Sequence, residues 1–139
     1  MRRLFLDANI ILDFVSERKP FFDPIAKVIS LVDLERLTFV VTPLSYATVY
    51  YLLSKGGNKK FALERLIRFK IICEICVMDE NIVEQGLHSN MKDFEDALQY
   101  FSAVKSDCDV IITRNGKDFK NSDLPVMIPE EFLKSLNLR

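Results

Sequence analysis

Asp7, Asp96 and Asp118 are the side chains with the most chemistry to offer, because each stands where an apolar strand ends or a helix begins. Asp7 closes RRLFLD, Asp93 and Asp96 open DFEDALQY, and Asp118 follows DVIIT within TRNGKDF. In a parallel sheet the carboxyl ends of the strands share one edge, so acids from remote segments can converge there. Ionised carboxylates repel one another, and a gathered set persists when a divalent cation neutralises it. The chemistry predicted is therefore a magnesium or manganese site built from oxygen ligands. Asp7 also fits a plainer role, as N-cap of a helix starting at Ala8. Asp93 and Asp96 lie at a helix start, where the dipole favours negative charge; Asp93 is expected to cap while Asp96 faces the crevice. Asp109 precedes its strand and so belongs to the opposite end.

The segments around these acids supply further candidates. Asn115 and Asp93 are possible additional metal ligands beside Asp7, Asp96 and Asp118. Thr113 could donate its hydroxyl to a carboxylate, Arg114 could bind a phosphate, and Asn9 could reach a metal-bound water. Each of these types is also ordinary turn chemistry. Between Lys55 and Lys70 six basic residues face Glu64 alone, and between Asp79 and Asp96 six acids face Lys92 alone. Either these are solvated helix faces, or Lys59, Lys60 and their neighbours form a basic rim that holds a phosphate backbone beside an acidic site. His88, the one histidine, falls outside every segment expected at the crevice. Cys73 and Cys76 spell CEIC, but a strand would point them to opposite faces, and the odd total of 3 cysteines argues for core thiols over a disulfide framework.

The positioning elements follow from periodicity. Residues 2–6 read as a first strand, followed by a helix with Ile10, Ile11, Phe14 and Val15 near one face. Asp23-Pro24 reads as a helix start, with an N-cap and a proline at the first helical position. LTFVVT is a second strand buried on both faces. A helix after Pro43 stops at Gly56-Gly57, and Asn58 caps the next, KKFALERLIRF. IICEICVM reads as a buried third strand, residues 80–88 as a short helix, FEDALQYFSAVKS as a longer one, and DVIIT as the fourth strand. A short turn over residues 115–119 precedes a fifth strand, LPVMI, and Pro129 opens the last helix. This alternation predicts an α/β fold with a mainly parallel central sheet flanked by helices.

Composition sets the outer limits. The chain has 139 residues, 49% hydrophobic and 28% charged, which predicts one globular domain over residues 1–139 that buries about 68–70% of its unfolded surface. No apolar run approaches the roughly 20 residues of a membrane span, and Arg2-Arg3 is followed by too short an apolar stretch for a signal peptide. A cytoplasmic protein with no membrane partner is expected. The net charge of −1 exerts no global pull on nucleic acid. No GxGxxG or GxxxxGK[ST] loop is present, so nucleotide-binding loops are not indicated.

Taken together, LFLDANIILD near the start and EDALQYFSAVKSDCDVIITRNGKDF late in the chain resemble the PIN-domain family, in particular the VapC-type toxins of bacterial toxin–antitoxin pairs. The resemblance covers nearly the whole chain, and the pairing of DxN with TRNxxDF is its most specific part. It implies a magnesium- or manganese-dependent ribonuclease, an antitoxin partner and a homodimer. Asp7 matches the first acid of the family, Asp96 the third, and Asn115–Asp118 the last. The family's usual glutamate on the helix after the second strand falls at Thr48, with Ser45 and Thr42 the nearest polar groups. That departure keeps open a catalytically inactive module that binds RNA or protein. A phosphoacceptor of the receiver type needs an acidic pair near the N-terminus, and RRLFLD supplies one acid.

Overall fold

Three apolar runs with strict two-residue alternation build the centre of the molecule. The computed structural model describes residues 2–137. Leu4 and Leu6 of β1 (Arg2–Leu6), Phe39 and Val41 of β2 (Leu37–Val41), and Val110 and Ile112 of β4 (Val110–Ile112) face one side. Phe5, Val40 and Ile111, the residues between them, face the other. All nine side chains are fully buried, each worth about 1.5–3 kcal/mol for the larger ones. Burial on both faces is why these runs are continuously apolar.

The five strands are all parallel, in the order β3-β2-β1-β4-β5, where β3 is Cys73–Ile75 and β5 is Val126–Met127. Helices α1 (Ala8–Val15), α2 (Phe22–Ser30), α3 (Pro43–Ser54), α4 (Lys59–Lys70) and α7 (Pro129–Asn137) contribute to the core cluster on one face. Ala103 of α6 (Phe94–Lys105) and Phe119 of a 3-10 turn (Gly116–Phe119) contribute to the other. Helix α5 (Glu80–Leu87) packs on α6, where Gly86 lies so close that an added Cβ would come within 3.1 Å of Leu98 and 3.3 Å of Phe94. Chain order reverses between β1 and β4, and in open α/β sheets such a switch point opens a crevice beyond the strand ends.

Two expectations are corrected. The third strand is short and lies at the sheet edge, paired with β2 alone, so Glu74 and Ile75 are exposed and Cys73 is only half-buried. Cys73 and Cys76 do point to opposite faces, one in contact with the Tyr46 hydroxyl at 3.3 Å, the other in the second core cluster. Helix α2 starts at Phe22, with Phe21 as N-cap and no side-chain cap, so Asp23 is not the cap. The first helical N–H groups have no intrahelical acceptor in any case, so Pro24 is tolerated in the first turn rather than defining its start. Asn58 and Asp93 cap α4 and α6 as expected, accepting from the N–H of Phe61 and Asp96 at 3.0 Å each. Among the described residues no helix is long and apolar enough to cross a membrane.

Candidate active site

Asp7 stands at the switch point. Its N–H donates to the Ile112 carbonyl at 3.1 Å, extending the β1–β4 ladder by one step. One carboxylate oxygen accepts from the Ala8 N–H at 2.9 Å, the other from the Thr113 hydroxyl at 2.8 Å. The two readings of Asp7, cap and crevice acid, therefore hold together: it caps α1 while its carboxylate sits at the strand ends, 6% exposed. Burial pushes this carboxyl above its usual range; the Thr113 and Ala8 hydrogen bonds pull it down, the Asp118 charge adds to the rise, and Arg114 opposes it.

Asp96 comes from the first turn of α6, just past its cap. Its carboxyl is pushed up to about 7, first by burial and then by the charges of Asp93, Asp118, Asp7 and Glu95. Asp96 and Asp118 line one groove, and the Asp7 charge acting on Asp96 places Asp7 within its electrostatic reach. Asp118 enters from the exposed 3-10 turn after β4. Asp93 uses one oxygen as the α6 cap and stays exposed at the rim.

The donor set is all oxygen, which suits a hard divalent cation. Among the described residues no three His, Cys, Asp or Glu are placed so that together they could hold a metal ion. Magnesium keeps several waters and takes one or two carboxylates directly, so a site for it does not require three of them. Asp7, Asp96 and Asp118 are the residues that would hold it, with the half-buried Asn115 beside them.

Thr113 takes the role of donor to a carboxylate that the sequence suggested, and two substrate-binding expectations, for Arg114 and for Lys59 and Lys60, change. Thr113 is fully buried, donating to Asp7 and accepting from the Asn115 N–H at 3.1 Å, so it orients an acid and does not meet a substrate. Arg114 is committed to Asp13, donating to its two oxygens at 2.7 and 3.3 Å, and its guanidinium stacks 3.9 Å over the Phe21 ring. Lys59 and Lys60 are exposed at the start of α4 and do not line the groove that contains Asp96 and Asp118. Asn9 is half-buried in the first turn of α1, two residues after Asp7. His88, expected away from the crevice, lies at the groove's rim, 3.0 Å from Glu84.

Asp13 was missed in the sequence, although a charge three residues after Ile10 on an apolar helix face was its signal. Gln99 was missed as well. It accepts from the Thr42 hydroxyl at 2.8 Å and donates to the Ser45 hydroxyl at 2.6 Å, closing a buried neutral network between α6 and the start of α3. Thr48 sits half-buried on α3, three residues beyond Ser45. Thr113→Val, which removes one donor from Asp7 and one acceptor from Asn115, is expected to lower stability by about 1–3 kcal/mol. Urea denaturation would read that loss, with Thr113→Ser retaining most of it; equal stability of all three proteins contradicts the assignment.

A PIN domain profile matches residues 3–117. The chain belongs to the PIN domain family. This PIN domain is also 32% identical, over 140 aligned residues, to Ribonuclease VapC1 of Aquifex aeolicus, covering 97% of this chain and 96% of the relative. Its fold is similar to that of VapBC2 from Rickettsia felis, solved with a DNA fragment from their promoter (TM-score 0.72, 17% identity, 90% of this chain and 96% of that one). It is similar too to VapC20 of Mycobacterium tuberculosis, a sarcin–ricin loop cleaving toxin (TM-score 0.67, 11% identity, 85% and 94% covered). VapBC-1 of nontypeable Haemophilus influenzae has a TM-score of 0.68 at 17% identity, with 92% and 98% covered.

Proposed function

We propose that this PIN domain, residues 1–139 as one unit, is a divalent-metal-dependent endoribonuclease and the toxin of a toxin–antitoxin pair. What supports this most is that Asp96 and Asp118 line one groove and that the charges of Asp118 and Asp7, at the switch point, oppose ionisation of Asp96. The likeness to Ribonuclease VapC1 supplies the substrate class. The VapBC neighbours supply the antitoxin partner. Magnesium or manganese as the ion, a homodimer and a cytoplasmic location complete the reading.

What a divalent ion supplies when bound there is Lewis acidity toward water and the scissile phosphate. The chain's own part is positioning. Thr113 and the α1 terminus hold the Asp7 carboxylate in one orientation, the Asp93 cap fixes the turn that presents Asp96, and the 3-10 turn brings Asp118 across. Because Arg114 is engaged by Asp13, positive charge toward the phosphates has to come from other side chains.

A second reading, a module that binds RNA or protein without cutting it, draws on Thr42, Ser45 and Gln99. These groups close on one another where the family's second acid is usual. Incubation of structured RNA with the protein and magnesium or manganese separates the two. Cleavage that stops with EDTA and falls more than about 100-fold in Asp7→Asn and Asp118→Asn is expected, since even outer-shell partners of a metal cost about 10–100-fold. Binding without turnover at any metal concentration would favour the second reading; equal cutting by wild type and both variants would refute the assigned site.

A further inference from the structure

We infer that Gln99 is a positioning residue for the candidate site: its side-chain amide sets where the first turn of α6, and with it Asp96, stands relative to the strand ends. The inference rests on the nuclease reading above and adds an uncharged group to those on which the site depends.

α6 is held in different ways along its length. Toward its C-terminal end Ala103 joins Phe5, Val40 and Ile111 in the second core cluster. Apolar contact of this kind is non-directional, so a helix can slide or turn on it with little change in buried area. Near the other end Phe94 and Leu98 pack on α5 at Gly86, and the Tyr100 hydroxyl accepts from the Asp123 N–H at 3.1 Å. Those contacts join α6 to α5 and to the loop after the 3-10 turn. The Asp93 cap bonds within the helix itself.

Gln99 supplies the tie to the strand ends. It follows Asp96 by three residues, close to one turn, and is 4% exposed. Both atoms of its amide are used: Oε1 accepts from the Thr42 hydroxyl at 2.8 Å and Nε2 donates to the Ser45 hydroxyl at 2.6 Å. The receiving end is stiff. Thr42 directly follows β2, caps α3 by accepting from the Ser45 N–H at 3.0 Å, and precedes a proline in the first turn. Thr42 and Ser45 are both fully buried. Because β2 pairs with β1 in parallel, this bond pair anchors the turn bearing Asp96 to the edge of the sheet where Asp7 stands.

Magnitudes show what the amide adds. A slip of α6 by one residue moves it about 1.5 Å along its axis. Most apolar contact would survive that slip, but the two hydrogen bonds would not, since their geometry fails beyond about 3.5 Å. The Asp96 carboxylate would travel the same distance, and a misplacement of about 1 Å near a reacting centre costs on the order of 100-fold in rate. A methionine at position 99 would fill the space without burying an amide. What the glutamine contributes is direction.

Gln99→Met is the variant to test. In it the Thr42 and Ser45 hydroxyls, 3.2 Å apart, still bond each other, so the protein should fold with a melting temperature close to that of wild type. Hydrogen exchange in EDTA should be roughly 5–10-fold faster at the amides of residues 97–100, the change that loss of one net hydrogen bond gives. The Ala97 N–H, which donates to the Asp93 carbonyl at 3.1 Å, is the first of these reporters. Amides of the C-terminal half of α6 should keep their protection, and Thr42→Ser, which retains the hydroxyl, should exchange like wild type. With manganese and structured RNA, kcat of Gln99→Met should fall at least about 10-fold with little change in KM. Wild-type exchange at residues 97–100 overturns the inference, whatever happens to kcat. So does faster exchange spread evenly over the chain with a large drop in melting temperature, which would make Gln99 a structural residue only. Local loosening with wild-type kcat also overturns it. Failure of the nuclease reading looks different: wild type then shows no metal-dependent cutting, and exchange at residues 97–100 still decides whether Gln99 places the turn.

Discussion

Asp96→Asn is expected to abolish cleavage and, in the absence of divalent ions, to make the protein more stable above neutral pH. Its carboxyl is held up to about 7 by burial and by the charges of Asp93, Asp118, Asp7 and Glu95, against an unfolded value near 3.8. Between those two values the folded state binds more protons than the unfolded one, so unfolding free energy falls as pH rises through that window. The stabilisation that protonated Asp96 provides is thus present in full below about 4 and gone above about 7. Asparagine removes the ionisation and with it this part of the pH dependence. Half-exposure lets solvent screen much of the repulsion, so an increase of about 1 kcal/mol, or roughly 3–4 °C in melting temperature, is the scale expected at pH 8. Thermal melts from pH 4 to 8 in EDTA, with and without added manganese, read it directly. Manganese should raise the melting temperature of wild type and do little for the variant. A variant no more stable than wild type at pH 8 in EDTA would contradict the charge crowding on which the site rests.

Arg114→Ala is expected to carry the largest stability loss of any single change here, about 3–5 kcal/mol. Asp13 is completely buried on α1, and burial pushes its carboxyl upward despite the Arg114 hydrogen bonds and the charges of Arg114 and Arg18. Removing the guanidinium leaves Arg18 as the remaining partner, 3.8 Å away and itself 45% exposed. It also removes the cation stacked on Phe21. An uncompensated buried carboxylate costs more than the intact pair contributes, so the double replacement Asp13→Leu/Arg114→Met should recover most of the loss. Guanidinium denaturation of the two single variants and the double would decide the point. A loss below about 1 kcal/mol for Arg114→Ala would mean that the pair is not closed off from solvent as described. Because Arg114 follows β4 and precedes the turn carrying Asp118, the same substitution should also weaken metal binding.

The Thr42–Ser45–Gln99 network bears on how the site compensates for a missing acid. Each of its side chains has its partner inside the network, so it presents no free charge to an ion. In the proposed reading any cation would be held without it, and the neutral network fixes α6 against the start of α3, on the helix that bears Asp96. The arrangement is consistent with a site that binds its metal with fewer carboxylates, and the Asp96 substitution probes that dependence most directly.

Local physics in the sequence determined the parallel α/β fold, the caps at Asn58 and Asp93, and the positions of Asp7 after β1, Asp96 in the first turn of α6 and Asp118 in the turn after β4. Two-residue alternation, capping side chains and the position of an acid after an apolar run are properties of contiguous segments, and they need no knowledge of what packs against them. The partners of Thr113 and Arg114 lie 106 and 101 residues away in the chain, and nothing local distinguishes a threonine that orients an acid from one that meets a substrate, or an arginine that binds phosphate from one that neutralises Asp13. Only the tertiary structure decided these roles, because burial removes water as an alternative partner and each buried polar group must then pair with whatever remote segment the packing brings within reach.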